Sequence, residues 1–187
     1  MSSELERSLR RLKPEKRRQQ LKVRSDAELP FLEDKSHRAG SLLYDTTVYI
    51  DILQGRFPGG GDLLLRSADA WHSTVAGTEL ASACGLLDPS HVGSRGVIRR
   101  ILAIVDRVSP YRMLAPDRQT WCDAGILAGT IARLQGVSRT ELRRILNDAL
   151  IFATARRFGH TVLTRNIVDF DLLHQLDPSG KVLFYRV

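Results

Sequence analysis

The sequence predicts a three-layer α/β/α fold around a mainly parallel central sheet, and three observations carry that expectation. Short apolar runs such as LLY (42–44) and TVL (161–163) alternate with longer stretches whose apolar residues recur at helical spacing. Acidic residues fall just after the short runs, where open parallel α/β sheets gather their reactive groups. The chain of 187 residues is long enough for one domain with a real core plus an appendage. The division expected is a basic extension or linker over 1–40, partly helical or disordered, and an α/β domain over 41–187.

In order along the chain, Leu5, Leu9 and Leu12 are spaced for a short amphipathic helix. RSDAELPFLEDKSHRAG (24–40) then looks like a linker with a small apolar anchor at Pro30–Leu32. Leu42–Tyr44 make the first strand and Asp45 stands at its end, followed by a helix that Thr46 and Thr47 can cap. QGRFPGGGD reads as a turn-rich loop, and LLLRSADAW (63–71) as helical. A strand is expected over His72–Val75, with a helix from about Gly77, which places Glu79 in that helix's first turn. Residues 94–109 carry Val97, Ile101, Ile104, Val105 and Val108 at helical spacing until Pro110 stops them. YRMLAP gives a short strand and 118–136 another helix, with Ala and Gly on its face for close packing. The next helix opens with a capping box from Ser138 to Glu141 and ends at Gly159. HTVLTRN is a strand, IVDFDLLHQL a short helix and VLFYRV the last strand.

Composition narrows the function classes. With 43% hydrophobic and 26% charged residues the chain reads as a soluble globular protein, and no apolar run approaches the ~20 residues that span a bilayer. Cys84 and Cys122 form neither a metal pair nor a disulfide framework, which favours a reducing cytosol. The formal charge of +7 is uneven: nine Lys/Arg against three Glu give +6 over residues 1–24, and nineteen against eighteen give +1 over the rest. A basic arm of this kind is either an electrostatic handle for nucleic acid or an acidic partner, or a solvated helical extension.

The acidic residues carry the chemistry. Asp45 ends the first strand, Glu79 follows the second, and Asp169 follows TVLTRN. Asp148 differs because it lies inside a helix, three positions after Ile145 and four before Phe152, close to the buried stripe. Converging carboxylates repel one another and raise their pKa values unless a cation intervenes. Oxygen-only ligation suits a hard ion, Mg²⁺ or Mn²⁺, which can lower the pKa of a bound water and stabilise charge on a phosphate. Thr164 and Asn166 sit beside Asp169, where they can orient a water or a carboxylate. Taken singly, each acid has a plainer reading: Asp45 as a helix cap, Glu79 as a first-turn glutamate, Asp169 as a cap, Asp148 in an ion pair with Arg144, and Asp171 facing solvent.

LLYDTTVYIDIL, STVAGTEL and NDALIFATARRFGHTVLTRNIVDFD together resemble the PIN-domain ribonucleases, and within them the VapC-type toxins of bacterial toxin–antitoxin pairs. The resemblance spans about residues 41–187. It implies a PIN-like fold with an acidic site of Asp45, Glu79, Asp148 and Asp169, and with Thr164 and Asn166 as accessory polar groups. It implies Mg²⁺- or Mn²⁺-dependent cleavage of single-stranded or looped RNA, a homodimer, a cytoplasmic location and inhibition by a cognate VapB-like antitoxin. The forty-residue extension and the PGGGD loop depart from the pattern. The alternative function is a non-catalytic nucleic-acid or protein-binding module on the same scaffold, driven by the basic arm.

Other features weigh less. FPGGGD lacks the Lys-Ser/Thr of a phosphate loop, and the Asp45-Thr-Thr run lacks the second Asp expected of an aspartyl-nucleophile phosphohydrolase. His37, His72, His91, His160 and His174 show no metal-ligand pairing. Trp71 and Trp121 read as core rather than as stacking platforms, and Arg156, Arg157 and Arg165 as an RNA-contacting group near the acidic mouth.

Overall fold

Five parallel strands pair in the order β3-β2-β1-β4-β5. They are β1 (Leu42–Tyr44), β2 (Ala70–Ser73), β3 (Met113–Leu114), β4 (Thr161–Thr164) and β5 (Lys181–Phe184). The computed structural model describes residues 3–33, 40–58, 70–106 and 108–187. Helices flank the sheet, giving the three-layer α/β/α arrangement expected. Register is fixed along the middle of the sheet, with Leu43 opposite Trp71 on one side and Val162 on the other. β1 is buried throughout and β4 from Val162 onward, as parallel strands covered on both faces are.

The helices are α1 (Glu4–Leu12), α2 (Thr46–Leu53), α3 (Thr74–Leu86), α4 (Ser94–Val105), α5 (Arg118–Gln135), α6 (Arg139–Phe158) and α7 (Ile167–Leu176). Helix α6 is the spine of the domain. Its capping box forms between Ser138 and Glu141, Ile145 and every residue from Asp148 to Ala155 are buried, and Gly159 at φ 77° ends it in the left-handed region. The second strand lies earlier than the sequence suggests. Ser73 accepts the Val75 N–H at 3.1 Å and caps α3, so the strand ends at Ser73 and Glu79 sits beyond the first turn. The helix expected over 63–71 lies largely outside the described residues, and its last two, Ala70 and Trp71, belong to β2.

The basic extension folds onto the domain over its described part. Helix α1 lies along α5, where Ser8 Oγ donates to Asp123 Oδ1 at 2.6 Å and Arg11 Nη2 reaches Asp123 Oδ2 at 2.8 Å. The buried face of α1 is Ser8 and Leu12, while Leu5 and Leu9 face solvent. The linker expected over 24–40 is corrected for residues 24–33. Arg24 grips Asp171 through its Nε at 2.7 Å and its backbone N–H at 2.9 Å. The Leu32 N–H donates to the Phe184 carbonyl and the Phe184 N–H to that of Pro30, so the segment covers the β5 edge. Asp171, expected in solvent, is fully buried, because Arg24 and Gln175 satisfy it.

Candidate active site

The C-terminal edge of the sheet collects the acidic residues from four different elements. Asp45 follows β1, and its backbone N–H donates to the Leu163 carbonyl of β4, which holds it at the seam between the two central strands. Its side chain caps α2, so the cap is Asp45 rather than Thr46 or Thr47. The buried Oδ2 accepts from Thr47 Oγ1 at 2.7 Å and Thr164 Oγ1 at 2.8 Å. Burial raises the Asp45 pKa, and these hydroxyl bonds oppose the rise.

Asp148 projects from the middle of α6 into the same place. It is 7% exposed, and its Oδ2 accepts a bond from Asn166 Nδ2 at 3.2 Å. Its pKa lies well above the ordinary 3.8, first because burial disfavours the anion and then because Asp45, Asp169 and Glu79 add negative charge around it. The ion pair with Arg144 that the sequence allows does not form. Arg144 Nη1 turns to Asp169 Oδ2 at 2.7 Å instead.

Asn166 ties the group together. It caps α7, donates its Nδ2 to both Asp148 and Asp169, and donates its backbone N–H to Thr164 Oγ1 at 2.9 Å. Glu79 is held between Thr46 Oγ1, which donates to its Oε2, and Asn147 Nδ2, which donates to its Oε1 at 2.8 Å. A cleft of about 510 Å³ opens over Asp45, Glu79 and Asp148, with Arg144 and Asn147 on its wall. An apolar pocket of about 530 Å³ adjoins it, sharing Thr46 and Glu79 and lined further by Leu53, Leu80, Val97 and Ile101. Thr46, Thr47, Arg144 and Asn147 are the site residues that sequence reasoning did not assign. Their one signal is adjacency to Asp45 and Asp148 in the chain.

Among the described residues, no group of three or more His, Cys, Asp or Glu stands ready to hold a metal ion, and each carboxylate of the cleft has at least one oxygen on a neighbouring donor. The donor chemistry nevertheless suits a hard cation. All the donors are carboxylate oxygens, and among the described residues Asp45, Glu79 and Asp148 have hydroxyl or amide partners but no ion pair.

The three arginines expected at the mouth are committed elsewhere. Arg156 Nη2 donates to Asp123 at 2.7 Å, Arg157 Nε to Asp117 at 3.2 Å and Arg165 Nε to Asp51 at 2.7 Å. Only Arg165 borders the site, where its backbone N–H donates to Thr47 Oγ1 at 3.1 Å. The placement of Arg156 near the mouth is corrected: with Arg11 it belongs to the α1–α5 contact, because its guanidinium is needed to neutralise buried Asp123 and Asp177. Trp121, expected in the core, is 51% exposed.

The strand order and the acidic cleft at the C-terminal strand edge are those of a PIN-like α/β/α fold. The comparisons agree at the level of fold. VapBC2 from Rickettsia felis, solved bound to a DNA fragment from its promoter, matches with a TM-score of 0.53 at 14% identity, covering 78% of this chain and 98% of that chain. FitAcB from Neisseria gonorrhoeae matches at 0.53 and 21% identity over 76% and 96%. FitAB bound to an IR36 DNA fragment matches at 0.52 and 19% over 77% and 94%. No family model and no curated protein matches the sequence.

Proposed function

We propose that this chain is a Mg²⁺- or Mn²⁺-dependent endoribonuclease, the toxin of a toxin–antitoxin pair. The observation that carries the reading is Asp148, a buried carboxylate surrounded by three others and given an amide rather than a cation as its partner. A structural aspartate at such depth is normally neutralised by an arginine, so this one is read as a ligand.

Asp45 and Asp148 would hold the ion, with Glu79 and Asp169 ligating directly or through water. Bound Mg²⁺ would supply a water of lowered pKa and positive charge against a phosphate oxygen. Thr47 and Thr164 fix the Asp45 carboxylate, and Asn166 sets Asp148 and Asp169 relative to each other. Glu79 or Asp169 would take the proton of the attacking water. The cognate VapB-like antitoxin would lay an apolar segment in the pocket beside the cleft, and the active species would be a cytoplasmic homodimer.

Cleavage of a single-stranded RNA in Mg²⁺, with EDTA and Asp148→Asn as controls, tests the reading. The expected result is cleavage by the parent alone, abolished by either control. EDTA-sensitive cleavage that survives in Asp148→Asn would remove the residue's assigned role, and the absence of any cleavage by the parent would overturn the proposal.

A further inference from the structure

Trp121 lies in the first turn of α5, a few residues beyond β3. Its side chain is exposed, although a tryptophan of this size normally sits inward. It lines a separate pocket of about 170 Å³ with Thr74, Val75, Thr78, Pro116, Asn147 and Leu150. Asn147 also lines the carboxylate cleft and donates to Glu79 at 2.8 Å, so one side chain forms the wall between pocket and cleft. Val75 and Leu150 are buried side chains that make the floor apolar. At its rim Thr78 Oγ1, which donates to the Thr74 carbonyl at 2.9 Å, offers a hydroxyl acceptor, and Asn147 adds its side-chain amide.

We infer that this pocket is a subsite for an unpaired nucleobase, with the Trp121 indole as its stacking face. The inference rests on the proposed nuclease reading and deepens it by locating where an unpaired base of the RNA would sit. A base has two π-faces and a polar edge, which matches one aromatic wall, an apolar floor and a rim of hydroxyl and amide groups. The common Asn147 wall places that base next to the cleft where the backbone would be cut. Arg143, exposed on the turn of α6 before Asn147, supplies positive charge for the adjoining phosphates, beside Arg144, whose guanidinium is paired with Asp169. A base-paired strand has its π-faces covered by neighbours and cannot enter.

The test uses the full chain carrying Trp71→Phe, which leaves Trp121 as the one tryptophan. Indole fluorescence is followed in EDTA while a single-stranded oligoadenylate, or a duplex RNA of the same length, is added. The subsite predicts quenching by the single strand and none by the duplex. In the natural background, Trp121→Ala should weaken single-strand binding by about 5- to 150-fold, the range that one lost base–aromatic stack represents, and Trp121→Phe should keep most of the affinity. Unchanged binding by Trp121→Ala, or equal quenching by the duplex, overturns the subsite. So does a shift of Trp121→Ala to a smaller species on size exclusion, which would make the ring part of a contact between protein copies. Cleavage that continues while Trp121 proves indifferent leaves the nuclease reading and removes the subsite. Quenching without cleavage in Mg²⁺ does the reverse, and failure to bind either RNA removes both.

Discussion

Two groups of buried carboxylates in this protein are treated in opposite ways. Beneath the N-terminal segment, Asp123 meets Arg11 and Arg156, and Asp171 meets Arg24. At the C-terminal edge of the sheet, Asp45, Glu79 and Asp148 meet hydroxyls and amides, and only Asp169 has an arginine, one whose side chain is 61% exposed. The first group is complete in itself, with charge matched inside the fold. The second lacks positive charge in proportion to its negative charge, and the Asp148 pKa rises, first through burial and then through the acids around it. Asp45, Asp148 and Asp169 are buried as Asp123 and Asp171 are, with Glu79 half-buried beside them, so burial alone does not distinguish a structural acid from a ligand. The identity of the partner does.

The comparison breaks most sharply on activity. Asp148→Asn should reduce RNA cleavage to background while leaving the thermal midpoint equal or higher, because a repelling charge leaves the cluster; a cleavage assay and a melting curve on one preparation check both. Asp123→Ala should do the opposite. Removing Asp123 leaves Asp177 alone to answer Arg11 and Arg156, a loss of at most about 3–5 kcal/mol. Urea unfolding should show that loss, with cleavage per folded molecule retained. For the same reason, deleting residues 1–38 is not a neutral removal of an arm: it uncovers Asp123 and Asp171 and should lower the urea midpoint even though every acid of the cleft is kept.

Asp148 also sets a pH dependence. A carboxyl with a pKa raised in the folded state favours the protonated form there, so its stabilising contribution is full below 3.8, the unfolded value. That contribution is lost as pH rises through the folded value. Without divalent cations the thermal midpoint should therefore fall across that interval, with a slope of at most about 1.4 kcal/mol per pH unit for this group. The slope should shrink in Asp148→Asn. Buried Asp45 is shifted in the same direction and leaves a residual slope in that variant. The smallest effect is expected at the exposed Arg10–Glu6 pair on α1, where Arg10→Ala should change stability by no more than about 1 kcal/mol and cleavage not at all.

Much of the site can be read from sequence because its parts are local. Asp45 directly follows an apolar strand and its partner Thr47 is two residues on. Asn166 and Asp169 share one short loop and helix start, where the cap geometry is encoded by spacing alone. Asp148 is conspicuous because it interrupts the apolar stripe of a long helix that has clear signals at both ends. What could not be read depends on partners distant in the chain. Arg24 and Asp171 are 147 positions apart and Ser8 and Asp123 are 115 apart, so the extension's polar composition resembled that of a linker while its arginines were in fact answering buried acids. The start of α3 was placed late because Ser73 and Thr74 satisfy strand and cap preferences alike, and only the Ser73–Val75 bond decides between them. Residue type alone puts Trp121 in the core, and no pattern in the sequence marks an indole at the N-terminal turn of a helix as exposed.

Calorimetric titration of Mn²⁺ into the parent chain and into Asp148→Asn tests the partner rule most directly, since it needs no RNA. Heat of binding in the parent that vanishes in Asp148→Asn, with both proteins folded, is the result predicted for a cluster that lacks a cation. Equal binding in the two, or none in the parent, would mean that the carboxylates at the sheet edge are satisfied by their hydroxyl and amide neighbours alone.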